Sequence, residues 1–216
     1  MDDLFERCSV LREQAHRGEV AHGIDLRHVW PTTGKSKTID LAVGYPAHRA
    51  LGPPSNGGIH QVKELSEILI ACEAKTVMTE HVKSQPRIFD ELSSSHEIVH
   101  RGRQDAISAG ITVVNIAEAY VSPTRQKSSR ELEVTPHKQP HVTEHMIKHL
   151  RGLQIRENID EVGFDAYCTV VIDCDNQSDA SLWTGHPAPQ QGDPDHYDTF
   201  RGRIVRFYNE RFSSLV

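Results

Sequence analysis

The sequence predicts an α/β protein, and three patterns carry that prediction. Helical periodicity marks both ends of the chain: Leu4, Cys8, Leu11 and Ala15 recur at three- and four-residue steps, as do Phe200, Ile204, Phe207, Tyr208 and Phe212. Short apolar, β-branched runs lie between them, at residues 38–43, 68–78, 111–121 and 166–173. Two further periodic stretches separate the later runs, so helices and strands alternate.

In order, residues 2–17 read as an amphipathic helix that Gly18 stops. Residues 19–30 lead in as strand or loop, and residues 37–45 form a first strand around Asp40. The strand at 67–78 carries Glu73 and Lys75. Residues 86–106 read as a helix with Ile88, Phe89, Leu92, Ile98 and Val99 at its apolar positions. Gly110 introduces residues 111–121, whose first half is apolar on both faces, as in a central strand with parallel neighbours. Residues 122–140, with Pro123, Arg125, Lys127, Arg130, Pro136 and Lys138, predict a long, exposed, flexible loop. Residues 142–158 form a helix with Met146, Ile147, Leu150 and Leu153 on one side, and residues 166–173 a buried strand. A Pro/Gly loop at 181–195 precedes the closing helix at 197–212. The order is α, β, β, α, β, α, β, α.

With 216 residues the chain is expected to be one domain with a substantial core. No apolar run approaches the length of a membrane-spanning helix. The acidic start, Met1-Asp2-Asp3-Leu4-Phe5-Glu6, lacks the basic and apolar regions of a signal peptide and predicts a cytoplasmic location. Of the four cysteines none makes a C-x-x-C pair; Cys72 and Cys168 fall in core strands and read as buried thiols. A net charge of −6 argues against a passive, non-specific nucleic-acid binder, which would be basic. It leaves room for an enzyme that reads nucleic acid in a local basic cleft.

The candidate site begins with Glu73 and Lys75. Two residues apart on a strand, they point to the same face. An acid and an amine on a core-like strand are costly to desolvate unless something uses them. Asp40 sits in a similar run 33 residues upstream, and residues 51–58, rich in Pro and Gly, accommodate that separation. Two carboxylates with an amine beside them suit a metal-assisted hydrolysis.

Asp40 followed by Glu73-Ala74-Lys75 resembles the PD-(D/E)xK nuclease superfamily, which contains most restriction endonucleases. The family's Pro-Asp pair is not reproduced, since Ile39 precedes Asp40. The resemblance implies a mixed central β-sheet flanked by helices, a restriction endonuclease-like core. It implies catalytic Asp40, Glu73 and Lys75, with Mg²⁺, or Mn²⁺ in its place, held by Asp40, Glu73 and the Ala74 carbonyl. The bound ion would activate a water and polarise the phosphate, and Lys75 would hold or deprotonate that water. The implied activity is hydrolysis of double-stranded DNA by a sequence-specific type II restriction enzyme acting as a homodimer, one site for each strand.

For DNA contact the basic loop residues Arg125, Lys127 and Arg130 are the first candidates. Arg101, Arg103 and Lys83 follow, then Arg201, Arg203, Arg206 and Arg211. Glu80 and His81 fall where the rim of the site is expected. Thr33-Gly34-Lys35-Ser36 lacks the upstream Gly and flanking elements of a phosphate loop and reads as a turn. Asp173 and Asp175, with Asp193 or Asp195, form a lesser acidic group without a Lys partner. Two alternatives stand beside the nuclease. One is a non-cutting nucleic-acid-binding module of the same fold. The other is a zinc-dependent hydrolase using the histidines, which recur at four-residue steps from His137 to His149.

Overall fold

The structure is a computed structural model that describes residues 2–47, 51–55, 57–128 and 131–213. Its elements are α1 (Asp2–Arg7), α2 (Ser9–His16), β1 (Ala21–Val29), β2 (Ser36–Pro46), β3 (His60–Gln61), β4 (Leu65–Val77) and α3 (His81–Gly102). There follow β5 (Ile107–Asn115), β6 (Ala119–Ser128), β7 (Glu131–Pro136), α4 (His141–Leu150), β8 (Ala166–Asp173), β9 (Ser181–Leu182) and α5 (Tyr197–Phe212). The α/β expectation is met by a seven-stranded mixed sheet in the order β3-β1-β2-β4-β5-β8-β9. β2 pairs antiparallel with β1 and β4, whereas β4, β5 and β8 run parallel. The sheet therefore changes character at β4.

Helices cover both faces. On one side, Cys8, Leu11 and Ala15 of the N-terminal segment and Phe200, Ile204, Phe207, Tyr208 and Phe212 of α5 pack on Ile70, Cys72, Ile107, Ala109 and Cys168. On the other, Ile88, Leu92 and Val99 of α3 and Met146 and Leu150 of α4 cover Ala71, Val77, Val114 and Tyr167. Each fully buried aliphatic or aromatic side chain contributes about 1.5–3 kcal/mol of transfer free energy, so these stripes hold the layers together. Cys72 and Cys168 are buried free thiols, as their strands predict. Burial pushes the Cys72 thiol up to about 12. No helix among the described residues is long and apolar enough to cross a membrane.

Several boundaries differ from expectation. The strand expected at 111–121 is β5, which runs from Ile107 to Asn115 with Gly110 inside it, and α3 ends at Gly102 rather than at 106. The first helix breaks at Cys8, between α1 and α2. α3 starts at His81 rather than at Pro86, which stands inside it and leaves the Val82 carbonyl without its helical donor. α4 ends at Leu150 rather than near residue 158. The chain beyond it is pulled inward by Arg156, which is 1% exposed and donates to both carboxylate oxygens of Asp165, at 2.9 and 3.1 Å. The segment expected as a loop at 122–140 is mostly strand: β6 (Ala119–Ser128) and β7 (Glu131–Pro136) form an antiparallel pair, a two-stranded ribbon separate from the main sheet. Leu132 and Val134 on the ribbon are exposed. Only the short run Glu131-Leu132-Glu133-Val134 alternates, and β6, with Pro123, Arg125 and Lys127, carries no apolar alternation, so the ribbon reads as a loop in sequence.

Asp165 organises the far side of the molecule. Arg156, Arg211 (2.6 Å), His100 (3.2 Å) and the Ser108 N–H all donate to its fully buried carboxylate. Trp30, just past β1, closes on α3: a Cβ added to Gly102 would lie 2.2 Å from its ring. The Thr32 hydroxyl donates to the Gly102 carbonyl at 2.9 Å. The end of the β1–β2 hairpin is thereby latched onto the C-terminus of α3.

A pH dependence follows from His96 on α3. It is buried against the Phe164 ring with its Nδ1 unpartnered among the described residues. Burial, reinforced by His100, pushes its pKa down to about 4. The unfolded chain, titrating near 6.5, binds that proton first. The neutral ring's contribution is complete above about pH 6.5 and is lost progressively down to about pH 4, by at most ~1.4 kcal/mol per pH unit. His96→Leu is expected to flatten the loss of stability between pH 6.5 and 5. Urea midpoints of both proteins at those two pH values check this; parallel slopes would refute it.

Candidate active site

The pairing of β2 with β4 brings the predicted residues together. The ladder runs to Leu41 opposite Cys72, which sets Asp40 beside Glu73. There the Asp40 carboxylate takes the Ala74 N–H at 2.7 Å. Glu73 and Lys75 share a face, as alternation requires, and Lys75 Nζ lies 2.7 Å from Glu73 Oε1. Asp40, Glu73, Ala74 and Lys75 thus form one cluster at the seam between the antiparallel and parallel halves of the sheet.

Three neighbours were not anticipated. Lys37 Nζ stands 2.9 Å from Glu73 Oε2, and the buried Ser95 hydroxyl donates to the same oxygen at 3.3 Å. Glu91 lies 3.3 Å from Lys75 and is itself held by Arg87 at 3.0 Å. Arg87, Glu91 and Ser95 recur every four residues on α3, a polar stripe on a helix that covers the sheet. That stripe was a readable signal. Lys37 had none, because its approach depends on how the β1–β2 hairpin is carried.

Glu73 is 6% exposed, and burial alone would raise its carboxyl pKa. The hydrogen bonds and charges of Lys75 and Lys37 outweigh that cost and hold it below the ordinary carboxylate value. Burial would likewise lower Lys75, but Glu73 and then Glu91 hold it above the usual lysine value. The resting site is an ionised carboxylate gripped by two ammonium groups. In donor chemistry it fits a hard divalent cation: two carboxylates and a carbonyl oxygen match Mg²⁺, which takes one or two carboxylates and fills its remaining positions with water and phosphate.

The predicted DNA contacts are placed unevenly. Arg125 and Lys127 are exposed on β6, and no ion pair is recorded for them among the described residues. Arg130 lies outside the described residues. Lys83 is exposed and pairs with Glu80, and Arg101 pairs with Glu97 along the helix. Arg103 is tied to Glu67 and Asp105, and sits over the Phe212 ring. The α5 arginines are similarly engaged, Arg201 by Asp3 and Asp198, Arg203 and Arg206 by Glu157, and Arg211 by Asp165.

Other candidates disperse. His81 is buried against the Asn115 carbonyl at 2.7 Å instead of lining the rim. Asp175 accepts the Gln177 and Ser178 N–H groups of its own turn, and Asp195 pairs with Arg151. His137 contacts the Ala117 carbonyl, His145 contacts Gln85 and His149 packs on Phe89. No group of three or more His, Cys, Asp or Glu side chains is placed to hold a metal among the described residues. The zinc alternative therefore finds no ligand cluster there.

Comparison with known proteins adds no family. No protein-family model matches the chain, and no curated protein or solved structure matches it.

Proposed function

We propose that the chain is a Mg²⁺-dependent endonuclease of the PD-(D/E)xK type acting on double-stranded DNA, most simply a type II restriction enzyme. The observation that carries this reading is Asp40 set beside Glu73 on adjacent strands, with Lys75 on the Glu73 face. Asp40, Glu73 and the Ala74 carbonyl would hold the ion, which when bound supplies an activated water and a polarised phosphate. Lys75, kept charged by Glu73 and Glu91, is the proton-bearing group that orients the water and offsets charge growing on the phosphate, not the base that deprotonates it. Glu91 and Ser95 act through Lys75 and Glu73 by fixing their positions. A charged lysine at this point also favours an anionic substrate.

The test is incubation of the purified protein with phage-sized duplex DNA and Mg²⁺, with the fragment ends mapped. Discrete ends support a restriction enzyme, and scattered ends a nuclease of looser specificity. Intact DNA in both Mg²⁺ and Mn²⁺ would favour the non-cutting module. One observation already leans that way, since both Glu73 oxygens are neutralised by lysines. Dimerisation is the natural way for one site per subunit to cut both strands, and light scattering on cognate DNA tests it.

The β6–β7 ribbon is the proposed reading element, because a two-stranded ribbon fits the major groove. Arg125→Ala and Lys127→Ala are expected to weaken DNA binding. A pure phosphate contact would lower affinity alike on all sequences and make the salt dependence shallower by about one unit. A guanine contact would instead cost roughly 1–3 kcal/mol at one base pair. Binding isotherms on cognate and random duplexes at two salt concentrations separate the two. No change in either variant would remove the ribbon from the interface.

A further inference from the structure

Lys37 occupies the place where a divalent cation would meet Glu73. Its ammonium is 2.9 Å from Oε2, the oxygen that also accepts from Ser95, while Lys75 takes Oε1. Three carboxylates, Asp40, Glu73 and Glu91, are thus matched by Lys37, Lys75 and Arg87, and the cluster is electrically balanced as it stands. Adding a doubly charged ion to a balanced cluster around the buried Glu73 carboxylate is unfavourable unless a positive charge leaves. The two lysines are not equally free to go. Lys75 is held by a second carboxylate, Glu91, whereas Glu73 is the one ion-pair partner recorded for Lys37 among the described residues. Lys37 lies beside the turn of the β1–β2 hairpin, opposite His28, on a flexible four-carbon stem.

We propose that Lys37 is a tethered cation that competes with the divalent metal for Glu73: it balances the site when metal is absent and must swing away for metal to bind. This rests on the metal-dependent reading of Asp40 and Glu73 above. Lys37 is therefore a positioning residue that sets how much free metal the site needs. Because the displaced ammonium stays on its tether beside the site, it remains within reach of an anionic substrate that arrives with the metal.

A merely structural lysine and a competing one predict opposite signs. If Lys37 only props Glu73 in place, removing it loosens the carboxylate and weakens metal binding. If it competes, removing it tightens binding. The experiment measures Mn²⁺ affinity without DNA, by the spectroscopic signal of free Mn²⁺, and Ca²⁺ affinity by calorimetry. Wild type, Lys37→Met, Lys37→Gln and Lys37→Arg are compared, each checked for folding by its melting transition. The expected result is affinity at least tenfold tighter in Lys37→Met and Lys37→Gln, with Lys37→Arg close to wild type. Adding Glu73→Gln to Lys37→Met should abolish the gain. Unchanged or weaker affinity in both neutral variants overturns the role of Lys37 and leaves the metal site standing. A gain that survives Glu73→Gln also overturns it, since the metal would then bind elsewhere. No measurable binding in any variant, with no cleavage in Mg²⁺, overturns both this role and the nuclease reading.

Discussion

Glu73→Gln is expected to abolish DNA cleavage while leaving the fold in place. The amide keeps the shape of the side chain and its contact with Ser95, but loses the charge that would hold a divalent cation and that keeps Lys75 protonated and aimed. Removing a charged group that acts in the transition state costs on the order of 10³-fold or more in the chemical step. Single-turnover cleavage in saturating Mg²⁺ measures that loss directly. DNA affinity should hold or rise, because a negative charge has been removed from a surface that must meet phosphates. Wild-type cleavage by this variant, or by Lys75→Ala, would dismiss the proposed site.

Asp165→Ala carries the largest expected loss of stability, although Asp165 lies away from the proposed chemistry. It would leave Arg156, itself 1% exposed, and the inward-facing Arg211 without their shared carboxylate. Breaking a buried pair by removing one partner costs about 3–5 kcal/mol, because the remaining charge stays buried and uncompensated. Denaturant unfolding at pH 7 should show that shift, and a change below about 1 kcal/mol would mean that water reaches the arginines. The pH dependence has a definite sign. Burial would raise the Asp165 carboxyl, but His100, Arg156 and Arg211 hold it well below the usual carboxylate range. Its contribution is present above the unfolded value near 3.9 and is lost only as pH falls through the depressed native value. Wild type and variant should therefore differ by a nearly constant amount above about pH 6.5, and by more as pH falls below it, because without Asp165 the buried His100 is protonated less readily still.

The alternation of strands and helices was legible because burial dictates it. β4, β5 and β8 sit between helical layers and must be apolar, so Ile68–Ile70, Val113–Val114 and Val170–Val171 announce them. β6 and β7 lie outside the main sheet, and the polar residues of β6 gave no such signal. That Glu73 and Lys75 share a face could be expected, because alternation along a strand is fixed, and Asp40 is singled out by the resemblance rather than by any pattern of its own. Lys37 and Glu91 could not be expected, since their positions depend on the curl of a hairpin and on the angle of a helix over the sheet. The ends of α4 and the burial of Arg156 were hidden for a related reason: a partner nine residues away, Asp165, decides them, and local propensity does not.

The latch of Trp30 on Gly102 makes the β1–β2 hairpin a lever with the chemistry at its fulcrum. Asp40 and Lys37 ride on the hairpin, whereas Glu73 and Lys75 ride on β4, which is built into the parallel half of the sheet. The two bodies are joined along β2 and β4, where the register slips twice, between Val43 and Gly44 and between Tyr45 and Pro46. A shift of the hairpin about that seam would change the gap between the two carboxylates, and it would be resisted by the cores the two share, where Ile39 and Ala42 pack with Ile68 and Ala71 and Val43 with Leu69. A methyl group added at residue 102 would push the indole aside and tilt the lever from the opposite end of α3. The residue that calibrates the spacing of the acids would then be one that never touches them.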